Sequence, residues 1–138
     1  MIIKDAHITV NSVDLSNKLR ALTFSEEVEQ QDATAHGDSF RSFEAGLRTG
    51  TVTAQFRQDF TDSSVDDTLS GLLADTDGFS VVIRPVDTNA VGANNPSFTA
   101  TMNLESYERF DGSDVGSEAL CTATFVLAAN TGFVRAES

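Results

Sequence analysis

The sequence holds one cysteine, two prolines and no tryptophan, and its nine lysines and arginines face twenty-one aspartates and glutamates. Each shortage removes a class of answer. With Cys121 as the sole thiol, an internal disulfide and a multi-thiolate metal site are both excluded. So few prolines, with nine glycines in 138 residues, argue against a disordered chain. The shortage of positive charge leaves a net −12, a field that repels phosphate, so gripping DNA, RNA or an anionic membrane is not expected. No apolar run is long enough to span a bilayer, and the opening "MIIKDAHITV" has no apolar segment of signal-peptide length, so synthesis in a cytoplasm is expected.

What is present points to strands. Hydrophobic residues make up 40% of the chain, ten of them Phe, and with abundant Val and Thr they favour one mainly β domain over residues 1–138. Ala6, Ile8 and Val10 alternate with polar neighbours before the turn residues "NSVD". From Arg20 to Gln31, Leu22, Phe24 and Val28 share one face, while Thr23, Ser25, Glu27, Glu29 and Gln31 share the other. In "EAGLRTGTVTAQFRQDF", Val52, Ala54 and Phe56 alternate with Thr51, Thr53, Gln55 and Arg57. Between these two strands, about 32–50, lies a stretch without clear periodicity, longer than a connection in a compact domain usually is, and therefore either disordered or functional.

After Phe60 the period changes. Val65, Leu69, Leu72 and Leu73 fall on one helical face, so a helix is expected over about 64–74, with Ser64 capping it, Asp66 and Asp67 at its positive end and "DTDG" stopping it. Three more strands are expected at Phe79 to Val86, Ser97 to Arg109 and Glu118 to Asn130, separated by the breakers "DTNAVGANNP" and "FDGSDVG". The expected core contains Phe24, Val52, Phe56, Leu69, Leu72, Phe98, Met102 and Phe125.

Catalytic and metal signatures do not assemble. His7 and His36 are read as solvated side chains with no spacing that joins them. "DTDG" matches part of a calcium loop, but the first ligand position falls on Leu73 and the twelfth on Arg84. "GSDVG" puts Ser113 in the wrong place for a nucleophile elbow. Cys121 shares a face with Ala123, Phe125 and Leu127 and reads as a buried, inert thiol. No enzyme, metal or cofactor is expected.

The order of segments carries more. A long strand, then "FEAGLRTGTVTAQFRQDF", then "SSVDDTLSGLLADTDGFSVVIRPV", then "NPSFTATMNLESYERFDGSDVGSEALCTATFVL" resembles the tail tube, or major tail, proteins of long-tailed bacteriophages, from about Leu15 to Val126. Gly46-Leu47-Arg48-Thr49-Gly50, Gln58-Asp59-Phe60, the helix with Leu69, Leu72 and Leu73, and Asn95-Pro96-Ser97 are its most specific parts. The resemblance implies a β-sandwich or barrel-like fold with one flanking helix, six-membered rings stacked into a hollow tube in a virion tail, contacts with tape measure and tail-end proteins, and DNA that passes without specific binding.

On that reading the polar strand faces line the channel, with Thr51, Thr53, Gln55, Glu27, Glu29 and Glu105 as candidates, and negative charge keeps DNA from being held. Arg57 is then the exception and needs a partner. Phe40, Phe43, Leu47 and Arg48 in the long connection either fold back on the domain's own core or, as preferred here, reach the next ring. A monomeric β-sandwich binding module on a virion or cell surface is the alternative. It explains the strands and the acidity but not the apolar connection, and with no Trp and Tyr107 alone it lacks the usual sugar-binding aromatics.

Overall fold

A computed structural model describes residues 5–37, 39–41, 43–87, 90–111, 118–128 and 132–137. The side chains of 43–46 lie outside what is described, and so does Ser113. The elements are β1 (His7–Val10), β2 (Val13–Asp14), a 3-10 turn (Ser16–Lys18), β3 (Leu19–Asp32), β4 (Phe43–Arg57), α1 (Val65–Leu72), β5 (Phe79–Arg84), β6 (Ser97–Glu108), β7 (Leu120–Leu127) and β8 (Val134–Ala136). The fold is mainly β with one flanking helix, in line with the sequence.

All pairings are antiparallel, in one sheet of order β2-β1-β5-β6-β7-β4-β3, with β8 added beside β6. No pairing closes that path among the described residues. The sheet rolls instead, bringing Phe24 of β3 within 5.3 Å of Phe98 of β6 and 4.5 Å of Phe133.

Period two sorts the side chains. Ile8, Val10, Val52, Ala54, Phe56, Val81, Met102, Cys121, Ala123 and Phe125 are fully buried on the concave side, where Val65, Leu69 and Leu72 of α1 meet them. Burying each large side chain contributes about 1.5–3 kcal/mol. Phe24, expected in the core, is half-buried at its edge, and Phe98, also expected there, is half-buried with its ring tilted 45° against that of Phe24.

Local chemistry explains the turns. Asn11 and Ser12 both take positive φ, 49° and 67°, the geometry a two-residue hairpin needs to join β1 to β2. The helix ends where Asp75 Oδ1 accepts the N–H groups of Asp77 at 3.0 Å and Gly78 at 3.2 Å; Gly78 has φ 93°. Ser64 does not cap α1 with its side chain. Its hydroxyl donates to Asp59 Oδ2 at 2.9 Å, while Asp67 takes the N–H of Ser63. Asn95 is buried and pins the turn before β6, accepting from Val86 N–H at 2.9 Å and donating to Val86 O at 3.0 Å.

The connection expected over 32–50 is corrected. β3 runs to Asp32 and β4 starts at Phe43, paired as Asp32↔Phe43, Gln31↔Glu44, Val28↔Arg48 and Glu27↔Thr49, with an irregularity between Val28 and Gln30. Leu47 and Arg48 therefore lie in a strand, and only 33–42 connects. Beyond Thr51, the last residue of β4 paired with β7, β3 and β4 continue as a bare two-stranded arm. Glu26 to Asp32 carry it about 20 Å out at roughly 3.3 Å per residue.

At the root of the arm, the fold requires Gly50. A Cβ there would meet the Phe133 ring at 2.6 Å and Leu127 at 3.1 Å, and Phe133 in turn packs on Phe24. Gly50→Val should unseat Phe133 and lower stability by about 1–3 kcal/mol, as overpacking does; unchanged chemical denaturation would show that this contact is not made.

Candidate assembly surfaces

The arm has little of its own core to rest on. Every residue of β3 from Ser25 to Asp32 is exposed, as are Leu47, Arg48 and Thr49. Val28 is 40% exposed, Leu47 74% and Phe40, in the connection at the tip, 87%. Phe43 starts β4, and its side chain lies outside the described residues. The proposed contact residues Phe40, Leu47 and Arg48 thus share one protruding element. Neither Phe40 nor Leu47 folds back on the domain.

A second surface is the convex face of the sheet. Register places Ser25, Thr51 and Val126 in one row, Thr23, Thr53 and Thr124 in the next, and Ala21, Gln55 and Thr122 in a third. Thr51, Thr53 and Gln55 are half-buried among these neighbours. Apart from Ala21 and Val126 these residues are polar, and none is charged. Glu27, opposite Thr49, extends this field onto the arm. Glu29 sits in the irregularity between Val28 and Gln30, where period two no longer fixes its side. Glu105 is exposed at a second irregularity, between Leu104 and Ser106 of β6, with β7 between it and β4.

Arg57, at the edge of the field, has a partner within the chain: Glu118, which also lies 3.6 Å from Arg20.

The far end of β4 is tied down by the residues "QDF". Gln58 Nε2 donates to Tyr107 Oη at 2.9 Å and to Arg109 O at 2.8 Å. Tyr107 donates to Asp66 of α1 at 2.8 Å, and burial pushes its hydroxyl above the ordinary phenol range. Asp59 accepts from Thr61 N–H at 3.0 Å, Thr61 Oγ1 at 2.8 Å and Ser64 Oγ, and its carboxylate lies 3.2 Å from Lys18 Nζ. Those contacts, led by the Thr61 N–H, hold it well below the usual carboxylate range. These are structural roles, joining sheet, helix and 3-10 turn.

Two side chains singled out for chemistry settle into ordinary positions. Burial pushes the Cys121 thiol up to about 11, which disfavours the thiolate. His7 is corrected: it is not solvated, because Nδ1 donates to Asp87 Oδ1 at 2.6 Å and Nε2 accepts from Thr9 Oγ1 at 2.7 Å. His7, Asp14 and Asp87 bring ligand atoms within 4.8 Å of one another. Both ring nitrogens are engaged, and Arg84 sits 3.7 Å from Asp87, so the cluster reads as a closed hydrogen-bond set. His36 is exposed.

Sequence reasoning missed Phe60 and Phe110, both exposed and 6.0 Å apart. It also passed over Arg41, exposed beside Phe40. Phe60 and Phe110 follow the ends of β4 and β6 and Arg41 precedes β4, so none of them carries a periodic signal.

No family model matches the sequence, and no curated protein does. Among solved structures, the chain is similar to one in the virion of a native gene transfer agent particle, with a TM-score of 0.73 and 17% identity over 97% of this chain and 98% of that one. It is similar to a chain in the tail of an empty gene transfer agent particle with C6 symmetry, TM-score 0.65, 18% identity, 85% and 82% covered. The tail tube of SPP1 gives a TM-score of 0.66 at 10% identity, 97% and 77% covered. The chain has the fold seen in these tail assemblies.

The Asp59 contacts set a pH dependence. A carboxyl depressed by folding stabilises above its unfolded value of 3.8, and that contribution fades as pH falls below it toward the folded value. Asp59→Asn should therefore lower stability at neutral pH, with the gap to the parent narrowing below about pH 4. Urea melts across pH check this; a gap that stays constant with pH contradicts it.

Proposed function

We propose that the chain is a structural virion protein that assembles into six-membered rings, stacked into a tail tube through which DNA passes. One observation carries this reading beyond the likeness of fold. The arm extends two paired strands past the last pairing with β7, exposes Val28, Phe40 and Leu47, and shows no core of its own among the described residues. An isolated two-stranded ribbon is marginal in water, and exposed apolar groups of this kind mark a contact site. A second copy supplies what the arm lacks, with Phe40, Phe43, Leu47 and Arg48 meeting the adjacent ring. The fourteen-residue β3, with β4 on one side only, offers its other edge to a neighbour in the same ring.

The channel face in this reading is the convex field of Thr51, Thr53 and Gln55, with Glu27, Glu29 and Glu105 adding negative charge around it. Hydroxyls and an amide can hydrogen-bond a phosphate but bring no positive charge, so they add none of the counterion-release affinity that would hold a sliding backbone. Arg57 and Arg20, at the Gln55 end of the field, are held by Glu118. Repeating a chain of charge −12 six times per ring adds a repulsive field. The role is structural rather than enzymatic and the site of action is the virion tail. The ends of the tube meet tape measure and tail-end proteins.

Electron microscopy of concentrated protein should show six-fold rings or tubes, and Thr53→Lys tubes should retain DNA at low salt and release it as salt rises, while parent tubes retain little at any salt. Isolated small particles at every concentration contradict the assembly. Parent tubes that bind DNA tightly, or Thr53→Lys tubes that never do, contradict the channel face.

A further inference from the structure

The tube reading leaves open which surface receives the arm. Charge singles out the arm first. Of the described lysines and arginines, Lys18, Arg20, Arg57, Arg84, Arg109 and Arg135 all form ion pairs. Arg41 and Arg48 form none among the described residues, and both sit on the arm beside the exposed Phe40 and Leu47. In a chain of net charge −12, uncommitted cations next to exposed apolar side chains describe a plug for an acidic, apolar socket.

Topology locates the socket. β4 and β6 each run antiparallel to β7, so they are parallel and their carboxyl ends lie at the same end of the sheet. Phe60 follows β4, Phe110 follows β6, and their rings meet there at 6.0 Å while remaining 59% and 66% exposed. The arm leaves from the amino-terminal half of β4, at the opposite end. Of the other exposed large hydrophobics outside the arm, Val134 pairs beside the start of β6, at the arm's own end, and Leu73 stands past the last turn of α1. Asp62 and Glu108 flank the aromatic pair, exposed and without an ion pair among the described residues.

We infer that Phe60 and Phe110, with Asp62 and Glu108, form the acceptor for the arm of a second copy of this chain in the next ring. Phe40 and Leu47 pack on the two rings, and Arg41 and Arg48 pair with the two carboxylates. A contact between opposite ends of identical subunits is heterologous and does not close on itself, so it propagates along an axis as a stack requires. Apolar burial drives it, and charge-assisted hydrogen bonds set its register. This inference rests on the tube reading above.

Two charge-reversed variants test it. One carries Arg41→Glu with Arg48→Glu on the arm; the other carries Asp62→Arg with Glu108→Arg on the acceptor. All four positions are exposed, so each free variant should keep the parent melting temperature. Each alone should lose pelletable tube by about tenfold or more. An equimolar mixture should restore it, because every interface between alternating rings then pairs opposite charges. A mixture no better than its components, or an acceptor variant that stacks like the parent, overturns the acceptor while leaving the tube reading standing. A parent protein that forms no stacks overturns both.

Discussion

Support for the β3–β4 pair stops at Thr51, and the rest of the structure is arranged around that fact. Up to Thr51, β4 is sandwiched between β3 and β7 and its alternate residues Val52, Ala54 and Phe56 are fully buried. Beyond it, past the contact of Gly50 with Phe133, the same two strands continue paired to each other, with 25–32 and 47–49 exposed. Hydrogen bonds contribute little net stability where water competes for both partners, so the free arm is the least stable part of the paired sheet. Among the described residues nothing offsets that cost, which is what the proposed second copy would supply.

At the other end of β4 the physics is reversed. Gln58 and Asp59 spend their hydrogen-bonding capacity on Tyr107, Arg109, Thr61, Ser64 and Lys18, fixing the helix, the 3-10 turn and β6 in one place. A rigid end next to the exposed pair Phe60 and Phe110 suits a receptor, because a contact made on ordered residues loses less conformational entropy on binding. The exposed arm and the proposed acceptor lie at opposite ends of one strand, which is the arrangement a repeating axial contact needs. The polar face between them carries hydroxyls in place of charge, and the cations at its edge are neutralised within the chain.

The fold was legible wherever one face of an element is buried. Val52, Ala54 and Phe56, or Leu69 and Leu72, show their period because a core selects it. The same reason hid the arm: 25–32 and 47–49 are exposed, so no core selects an alternation there, and the irregularity between Val28 and Gln30 breaks what remains. β2 and β8 were missed because strands of two and three residues are too short for a period. His7 was misread because its partner Asp87 lies far off in sequence, three residues past the end of β5. At the candidate surfaces, Phe40, Leu47 and Arg48 stood out as apolar and basic residues in polar company. Phe60 and Phe110 did not, since their adjacency is made only by the parallel course of β4 and β6.

Amide hydrogen exchange before and after assembly addresses the central claim directly, because exchange reports local opening. In the free chain, amides of 26–32 and 47–49 should exchange far faster than those of Val52 to Phe56, and on forming tubes they should slow by at least an order of magnitude. Arm amides already as protected as the core in the free chain, or equally fast in the tube, would contradict an arm that a second copy completes.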